Sequence, residues 1–308
     1  MHAVPAKEAE ALESPIVLGI VGGLTAAVLV WSYWPSLGVL VDRWRGDDNY
    51  GHGWFVIPIT LAILWQRRGR LEGMKPRRPS LLGFAPLVAL LALRYLLYER
   101  NELWIESALF PVVVAAFTLA VGGWSTLGWA WPGIVFLFFM LPLPPSLNPI
   151  LAGQLQTVAT YGSVNLLHAI GLAVINEGNV ILVGDQRLEV AEACRGLSML
   201  LSFATLITAM VILVRRPIWE RIVLMLSIIP IALVCNIIRI AVTAFCYAKF
   251  GGEVKAVHDW AGLAMMPLAL GFVLVEMKIM SWLVVEVDVV EPRGFIRATY
   301  SNQPGPRN

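Results

Sequence analysis

The sequence predicts an all-α polytopic membrane protein with about eight transmembrane helices. Of its 308 residues, 58% are hydrophobic and only 14% are charged, and the mean hydropathy is +0.72. Soluble domains are closer to half apolar and a quarter charged, so this chain must be integral to a bilayer. Several apolar runs also reach the length of about 20 residues that a helix needs to cross a membrane.

Eight apolar runs are the candidate spans. They cover residues 15–41, 53–66, 80–98, 103–122, 126–143, 196–214, 220–248 and 260–285. The second run is short and the seventh is long, which indicates tilt or a break in these helices. A further segment, 147–174, is less apolar and contains the polar residues Gln154, Gln156, Asn165 and His168. We interpret it as an interfacial or partly inserted helix.

Two basic loops set the orientation of the spans. Segment 67–78 carries five arginines and one lysine against a lone glutamate, and segment 215–221 carries three arginines. Short loops rich in Lys and Arg stay cytoplasmic. With eight spans and an interfacial 147–174, both loops and both termini are cytoplasmic, whereas a spanning 147–174 would place the second loop outside. The starts of the sixth and eighth spans and the end of the seventh then face the extracytoplasmic side.

The chain is predicted to form one domain between two tails. Residues 1–14 have neither a basic n-region nor a short apolar core, so we interpret them as a cytoplasmic tail before a retained helix. The transmembrane domain covers 15–286, and 287–308 form a cytoplasmic C-terminal tail. Segment 178–193 alternates on both sides of Gly184-Asp185, which predicts a small extracytoplasmic β-hairpin.

Three reactive side chains converge on the extracytoplasmic side in this topology. Arg239 lies inside an apolar run, where a guanidinium costs roughly 2.5–3.5 kcal/mol on insertion scales unless it faces a polar cavity. Cys194 precedes the sixth span, and both the helix N-terminus and the adjacent Arg195 favour its thiolate form. His258 is predicted to lie in a loop before the eighth span, next to Asp259.

Each of these residues also has an ordinary structural interpretation. Cys194 could be a small buried cysteine, and His258 could be a surface residue or a helix cap. Arg239 shares a helix face with Asn236 and Thr243, and the three could form a structural interhelical network. As a set, however, cysteine, histidine and arginine supply the thiolate, the proton donor and the oxyanion donors that nucleophilic cysteine chemistry requires.

The remaining candidates carry weaker signals. His52 lies between the first two spans on the same side, and Asp259 could orient a base. Cys235 and Cys246 lie in the apolar run of the arginine, where small thiols are ordinary packing residues. No Cys/His pair has zinc spacing, so we expect no metal and no cofactor, and no feature indicates nucleic-acid binding.

Several motifs are similar to those of one known family. They are YGHGWFVIPI, LPLPPSLNPILAGQLQTVATYGS, GNVILVGDQRLEVAEACRG, NIIRI and the region of His258, between about Tyr50 and Gly271. With these motifs the chain resembles the exosortase/archaeosortase family of polytopic membrane cysteine transpeptidases. The resemblance implies that Cys194 is the nucleophile, Arg239 the assisting arginine and His258 the third member. Family members usually have Ser after the cysteine, in an A-C-S-G motif, where this chain has Arg195.

The resemblance implies a function in protein sorting. Such enzymes are expected to act on membrane-anchored proteins whose C-terminal signal combines a short motif such as Pro-Glu-Pro, a transmembrane helix and a basic cluster. They cut near the motif and can transfer the acyl group to a glycan or lipid acceptor at the cell surface. The expected location is the bacterial inner membrane, with the site facing outward.

Two alternatives stay open at this point. The first is a transporter or export subunit for surface polysaccharide, with Arg239 as a substrate site. The second is a membrane acyltransferase that uses His258 and Asp259 and does not require Cys194.

Overall fold

The part of the chain that the structure describes is mostly helical and includes a small three-stranded sheet. The computed structural model describes residues 15–47, 49–72, 81–100, 103–184, 186–190, 196–250 and 254–283. The helices are α1 (Pro15–Ser32), α2 (Trp34–Gly46), α3 (Gly53–Gln66), α4 (Gly69–Glu72), α5 (Leu81–Glu99), α6 (Leu103–Phe136, followed by a 3-10 turn at Leu137–Met140), α7 (Leu147–Ala169), α8 (Gly196–Leu213), α9 (Ile218–Phe250) and α10 (Val254–Leu283). The strands are β1 (Val174–Glu177), β2 (Val180–Val183) and β3 (Gln186–Glu189). The two predicted tails, 1–14 and 287–308, lie outside the described residues.

Within the described residues, four helices are long and apolar enough to cross a membrane. These segments are Trp104–Met140, Gly196–Leu213, Ile218–Phe250 and Trp260–Leu283. A fifth is added if α1 and α2, which are bent by 61° at their junction, count as one span. The predicted number of eight spans is therefore not confirmed. α3 is one reason, since its 14 residues extend about 21 Å and fall short of the hydrocarbon thickness.

The first predicted span is interrupted in the middle. Tyr33 separates α1 from α2 with a non-helical ψ of 2°, and Pro35 lies in the first turn of α2. Proline removes one helical hydrogen bond donor and restricts the residue before it, so a break here is expected. The predicted straight run 15–41 is thus two helices.

The chain reverses its direction within α6. Gly123 has φ 68° and ψ −167°, a conformation that glycine adopts readily and other residues rarely do. A straight helix would separate Trp104 from Pro142 by more than 50 Å at 1.5 Å per residue. Instead, Trp104 Nε1 donates a hydrogen bond to Pro142 O at 2.9 Å. The segment Trp104–Met140 therefore consists of two antiparallel arms, close to the predicted runs 103–122 and 126–143.

Helices α8, α9 and α10 form the core that positions the site. They share a buried apolar cluster that includes Phe203, Cys235 and Ala269. Gln66 Nε2 donates to Leu213 O at 2.8 Å, so α3 and α8 end at the same end of the bundle. Both basic loops begin there, and we call it the basic end. The start of α8, the last turns of α9 and the start of α10 lie at the opposite end, which we call the site end.

Helix α7 and the sheet cover the site end. The Ser163 hydroxyl donates to Ile237 O of α9, and Asn148 lines a cavity together with Tyr50, which precedes α3. The start of α7 therefore lies near Tyr50 at the site end, and its second half packs against the middle of α9. The predicted hairpin is present as β2 and β3, which are antiparallel with Gly184 at φ 59°. Strand β1 adds a third antiparallel strand that the sequence analysis does not predict.

A buried ion pair joins the N-terminal helices near the site end. The Glu106 side chain is fully buried and accepts hydrogen bonds from Arg94 Nε at 3.0 Å and from the Ser36 hydroxyl. The guanidinium of Arg94 also donates to Ser32 Oγ and lies 4.4 Å from the centre of the Tyr33 ring. This network fixes the bend between α1 and α2 against the start of α6.

Candidate functional site

Arg239 lies in the second half of α9 and is only 6% exposed. It borders a cavity of about 320 Å³ between α8, α9 and α10. The lining residues are Ser198, Met199, Ser202, Arg239, Gly262, Leu263, Met265 and Met266. The wall thus combines one cation and two hydroxyl groups with flexible apolar side chains. The expectation that this arginine faces a cavity agrees with the structure.

Gly262 lets α10 approach the guanidinium closely. A Cβ built at this glycine would lie 2.9 Å from Arg239 Nη2 and 3.2 Å from Arg239 Cζ. Both distances are shorter than ordinary van der Waals contact, so any larger residue would displace the guanidinium. The backbone of α10 is therefore one wall of the pocket that holds it.

Asn236 and Thr243 extend the polar stripe of Arg239 along α9. Asn236 is 2% exposed and Thr243 is 1% exposed. The Thr243 hydroxyl donates to the backbone carbonyl of Arg239 at 2.8 Å. Thr243 therefore satisfies its own hydrogen bond within the helix.

His52 belongs to a different part of the site end. It precedes α3, is 8% exposed, and its Nε2 lies 3.0 Å from Phe139 O. Since a carbonyl only accepts hydrogen bonds, Nε2 must donate, and burial lowers the pKa of this imidazole. His52 does not line the cavity of Arg239. Its contact indicates a structural role in joining α3 to the end of α6.

The other two principal candidates have less structural description. Cys194, like Arg195, lies outside the described residues, two positions before the buried Gly196 that starts α8. The backbone at His258 and Asp259 is helical within α10, whereas their side chains lie outside the description. The predicted loop around His258 is thus wrong. No glycine or proline occurs between the pair Gly251-Gly252 and Gly262, so the helix extends upstream to Val254.

Sequence reasoning does not identify Ser198, Ser202 or Gly262 as site residues. The serines lie four residues apart on α8, so they share one face, and the first lies four positions after Cys194. Gly262 lies one helical turn after His258 and therefore on the same face of α10. These spacings are visible in the sequence, but they acquire meaning only when the position of Arg239 is known.

A comparison with known protein families identifies the family of this chain. A family model described as transmembrane exosortase matches residues 44–275, about three-quarters of the chain. No curated protein and no solved structure shows significant similarity to this chain. The matched range contains the whole Arg239 cavity together with Cys194 and His258. The chain therefore belongs to the transmembrane exosortase family.

Proposed function

We propose that this membrane protein is a cysteine transpeptidase or endopeptidase that cleaves C-terminal sorting signals of exported proteins. Its substrates are membrane-anchored, and it can transfer the cleaved protein to a surface glycan or lipid. It acts in the bacterial inner membrane, on the extracytoplasmic side. The observation that carries the proposal is the buried Arg239 beside a cavity at the site end, away from both basic loops.

Connectivity supports a common site for the three predicted residues. Cys194 precedes Gly196 by two residues, and α8 also contributes Ser198 to the cavity. Position 258 lies one turn before Gly262, the residue against which the guanidinium packs. The first turns of α8 and the first half of α10 therefore border the cavity of Arg239, and Cys194 and His258 are close to them in the sequence.

The chemistry divides peptide-bond cleavage into two steps. The Cys194 thiolate attacks the carbonyl carbon, and the carbonyl oxygen becomes an oxyanion that Arg239 stabilises with its fork of donors. When the C–N bond breaks, His258 gives a proton to the leaving amine, and the protein remains as a thioester on Cys194. An acceptor amine or hydroxyl, or water, then attacks the thioester and gives its proton to the neutral imidazole. Cys194 is released as the thiolate and His258 is again protonated, without a requirement for ATP.

Single substitutions test this mechanism on a sorting-signal substrate. Cys194→Ala should abolish cleavage without loss of protein, while Cys235→Ala and Cys246→Ala serve as matched controls and retain it. Arg239→Lys should lower kcat about 100- to 1000-fold, because an ammonium cannot reproduce the guanidinium fork. Normal processing by Cys194→Ala together with loss in one of the other two variants would move the nucleophile to that cysteine. Normal processing by all three cysteine variants would exclude the thiol mechanism.

The orientation has its own test. Single cysteines introduced at Gly73 and Gly252 should differ in their reaction with an impermeant thiol reagent in intact cells. Only the second should be labelled, because the basic loop is expected on the cytoplasmic side. Labelling at position 73 would place the site end in the cytoplasm and contradict the proposal.

A further inference from the structure

The outer strand β3 leads into the segment that contains Cys194. β3 ends at Glu189, and α8 begins at Gly196. Each residue adds at most about 3.6 Å to an extended chain, so the connection between these two elements spans no more than about 25 Å. One edge of the sheet therefore lies within this distance of the helix that lines the Arg239 cavity.

The backbone groups of β3 alternate between the two sides of the strand. The N–H of Val190 donates to Asn179 O at 3.0 Å, so residue 190 faces β2. In an antiparallel ladder every second residue forms such a pair, and Leu188 therefore faces β2 as well. The N–H and C=O groups of Arg187 and the N–H group of Glu189 consequently point away from β2. We call this side of the strand the β3 edge.

The two edges of the sheet differ in their contacts. Strand β1 forms the opposite edge, where His168 Nε2 at the end of α7 donates to Val174 O at 2.9 Å. At the β3 edge, the outward groups of Arg187 and Glu189 make no hydrogen bond with any residue that the structure describes. Exposed edge strands are commonly protected from pairing by lysine or proline, and β3 contains neither. The β3 edge is therefore the one that can accept another strand.

A buried apolar cluster fixes the sheet on α9 directly after Arg239. Leu188 and Val190 are buried in this cluster together with Ile240 and Ala244 of α9. Because the apolar side chains of β3 anchor the strand, its outward backbone groups hold one position relative to the Arg239 cavity. A peptide that pairs with the β3 edge meets a preformed partner, which lowers the entropy lost on binding.

The short length of the β3 edge favours a peptide over a second copy of this chain. β3 has four residues, and pairing it with another β3 would bury far less than the roughly 1,200 Å² that a stable protein interface needs. A peptide that adds to a sheet edge gains its affinity from main-chain hydrogen bonds, which do not depend on its side chains. Backbone pairing therefore suits a site that accepts many different proteins.

We propose that the β3 edge binds an extended segment of the substrate by strand addition, with the backbone of Arg187 exchanging two hydrogen bonds with one substrate residue. This inference rests on the proposed function, because the segment belongs to the protein that is cleaved. The segment becomes the fourth strand of the sheet. The substrate residue opposite Arg187 must have a backbone N–H, whereas its two neighbours point their N–H groups away from the sheet.

Hydrogen exchange measures strand addition without cleavage. The full chain carrying Cys194→Ala, purified in detergent, is mixed with a sorting-signal substrate, and amide exchange is followed at single-residue resolution. We expect the amides of Arg187 and Glu189 to exchange at least tenfold more slowly when the substrate is present. The amide of Leu188 already faces β2 and should change little. This alternation identifies edge pairing, because a general loss of mobility would slow all three amides.

Removal of single N–H groups tests the pairing in the cleaving enzyme. Arg187→Pro removes the donor from the β3 edge, where a proline is tolerated because its position faces outward. It should raise KM about tenfold and leave kcat nearly unchanged, since the edge does not touch the reacting bond. Asn176→Pro is the matched control, because it removes an outward N–H from β1, and it should leave KM unchanged.

Substrates with one N-methylated residue at a time leave the enzyme unaltered. N-methylation of the residue opposite Arg187 should raise KM about tenfold, and N-methylation of either neighbour should not.

Three outcomes would overturn the inference. They are equal KM values of Arg187→Pro and Asn176→Pro, a series of N-methylated substrates without one sensitive position, and protection of the β3 amides that depends on protein concentration instead of substrate. The last result would assign the edge to a second copy of this chain. Absence of cleavage by the wild-type protein would contradict the proposed function, whereas normal cleavage by Arg187→Pro contradicts the β3 edge alone.

Discussion

Replacement of Gly262 by alanine should move the Arg239 guanidinium without lowering the stability of the fold. The new Cβ would lie 2.9 Å from Nη2, and ordinary contact begins at 3.4 Å, so the guanidinium must move by at least 0.5 Å. Because Nη2 is at the far end of a flexible side chain, this movement costs the fold little. Alanine also favours a helix over glycine by about 1 kcal/mol, so the protein should not lose stability.

The catalytic rate should fall even though the stability of the fold does not. A misplacement of about 1 Å in catalytic geometry can cost about 100-fold in rate. A shift of half that size should lower kcat roughly 10- to 100-fold, which corresponds to about 1.4–2.8 kcal/mol of transition-state stabilisation. The assay is cleavage of a sorting-signal substrate by protein in detergent, with kcat and KM determined separately and the melting temperature measured in parallel.

Gly271→Ala is the matched control. It lies in the same helix, and nothing is within 4 Å of a Cβ built there, so it provides the same gain in helix propensity without the contact. A double-mutant cycle adds a second check: in an Arg239→Lys background, Gly262→Ala should have little further effect on kcat. The reasoning is refuted if Gly262→Ala and Gly271→Ala cleave at the same rate. It is also refuted if the effects of Gly262→Ala and Arg239→Lys are additive.

Two further predictions concern packing and pH. Gly162→Ala would place a Cβ 2.5 Å from Ile237 Cδ1, so overpacking should leave it about 1–3 kcal/mol less stable to unfolding in detergent than the control Gly153→Ala, where nothing lies within 4 Å. Equal melting temperatures of these two variants would contradict the close packing of α7 on α9. Burial lowers the pKa of His52 from its ordinary value of 6.5. Below pH 6.5 the unfolded state therefore binds more protons than the folded state, and the free energy of unfolding decreases as the pH decreases. His52→Gln should flatten the decrease in melting temperature between pH 7.5 and pH 5, and an unchanged decrease would show that another group controls it.

The elements of the fold follow largely from the sequence, but their direction does not. The length of the apolar runs predicts the helices. The hairpin turn is predictable because it needs a residue in the left-handed region, and Gly184 supplies that residue. The number of spans depends on properties that hydropathy does not report. The break at Tyr33 and the reversal at Gly123 are decided by two or three backbone angles inside apolar sequence. Strand β1 is only four residues long and is separated from the end of α7 by four residues, so its alternation is too short to be recognised in the sequence.

The sequence reveals a site residue most clearly when that residue costs free energy to bury. An arginine in an apolar run demands an explanation, and Arg239 does border a cavity. Gly262 carries no chemical group, and its contribution is the space that it leaves to a residue on another helix. His52 is the opposite case. Its polar side chain suggests a functional role in the sequence, whereas its contact with Phe139 O is structural. Tertiary contacts decide both cases, and they are not encoded locally.

The burial of Arg239 connects these observations to the mechanism. A guanidinium that is 6% exposed is stripped of most of its water, which costs free energy in the resting protein. The same removal of water lowers the local dielectric, so the attraction between the cation and a developing oxyanion is several times stronger than it would be in bulk solvent. Met199, Met265 and Met266 give the cavity an apolar wall of flexible side chains. The proposed function, in which one enzyme binds many proteins through one short signal, requires this combination: a charge placed against Gly262 and an adaptable apolar wall around it.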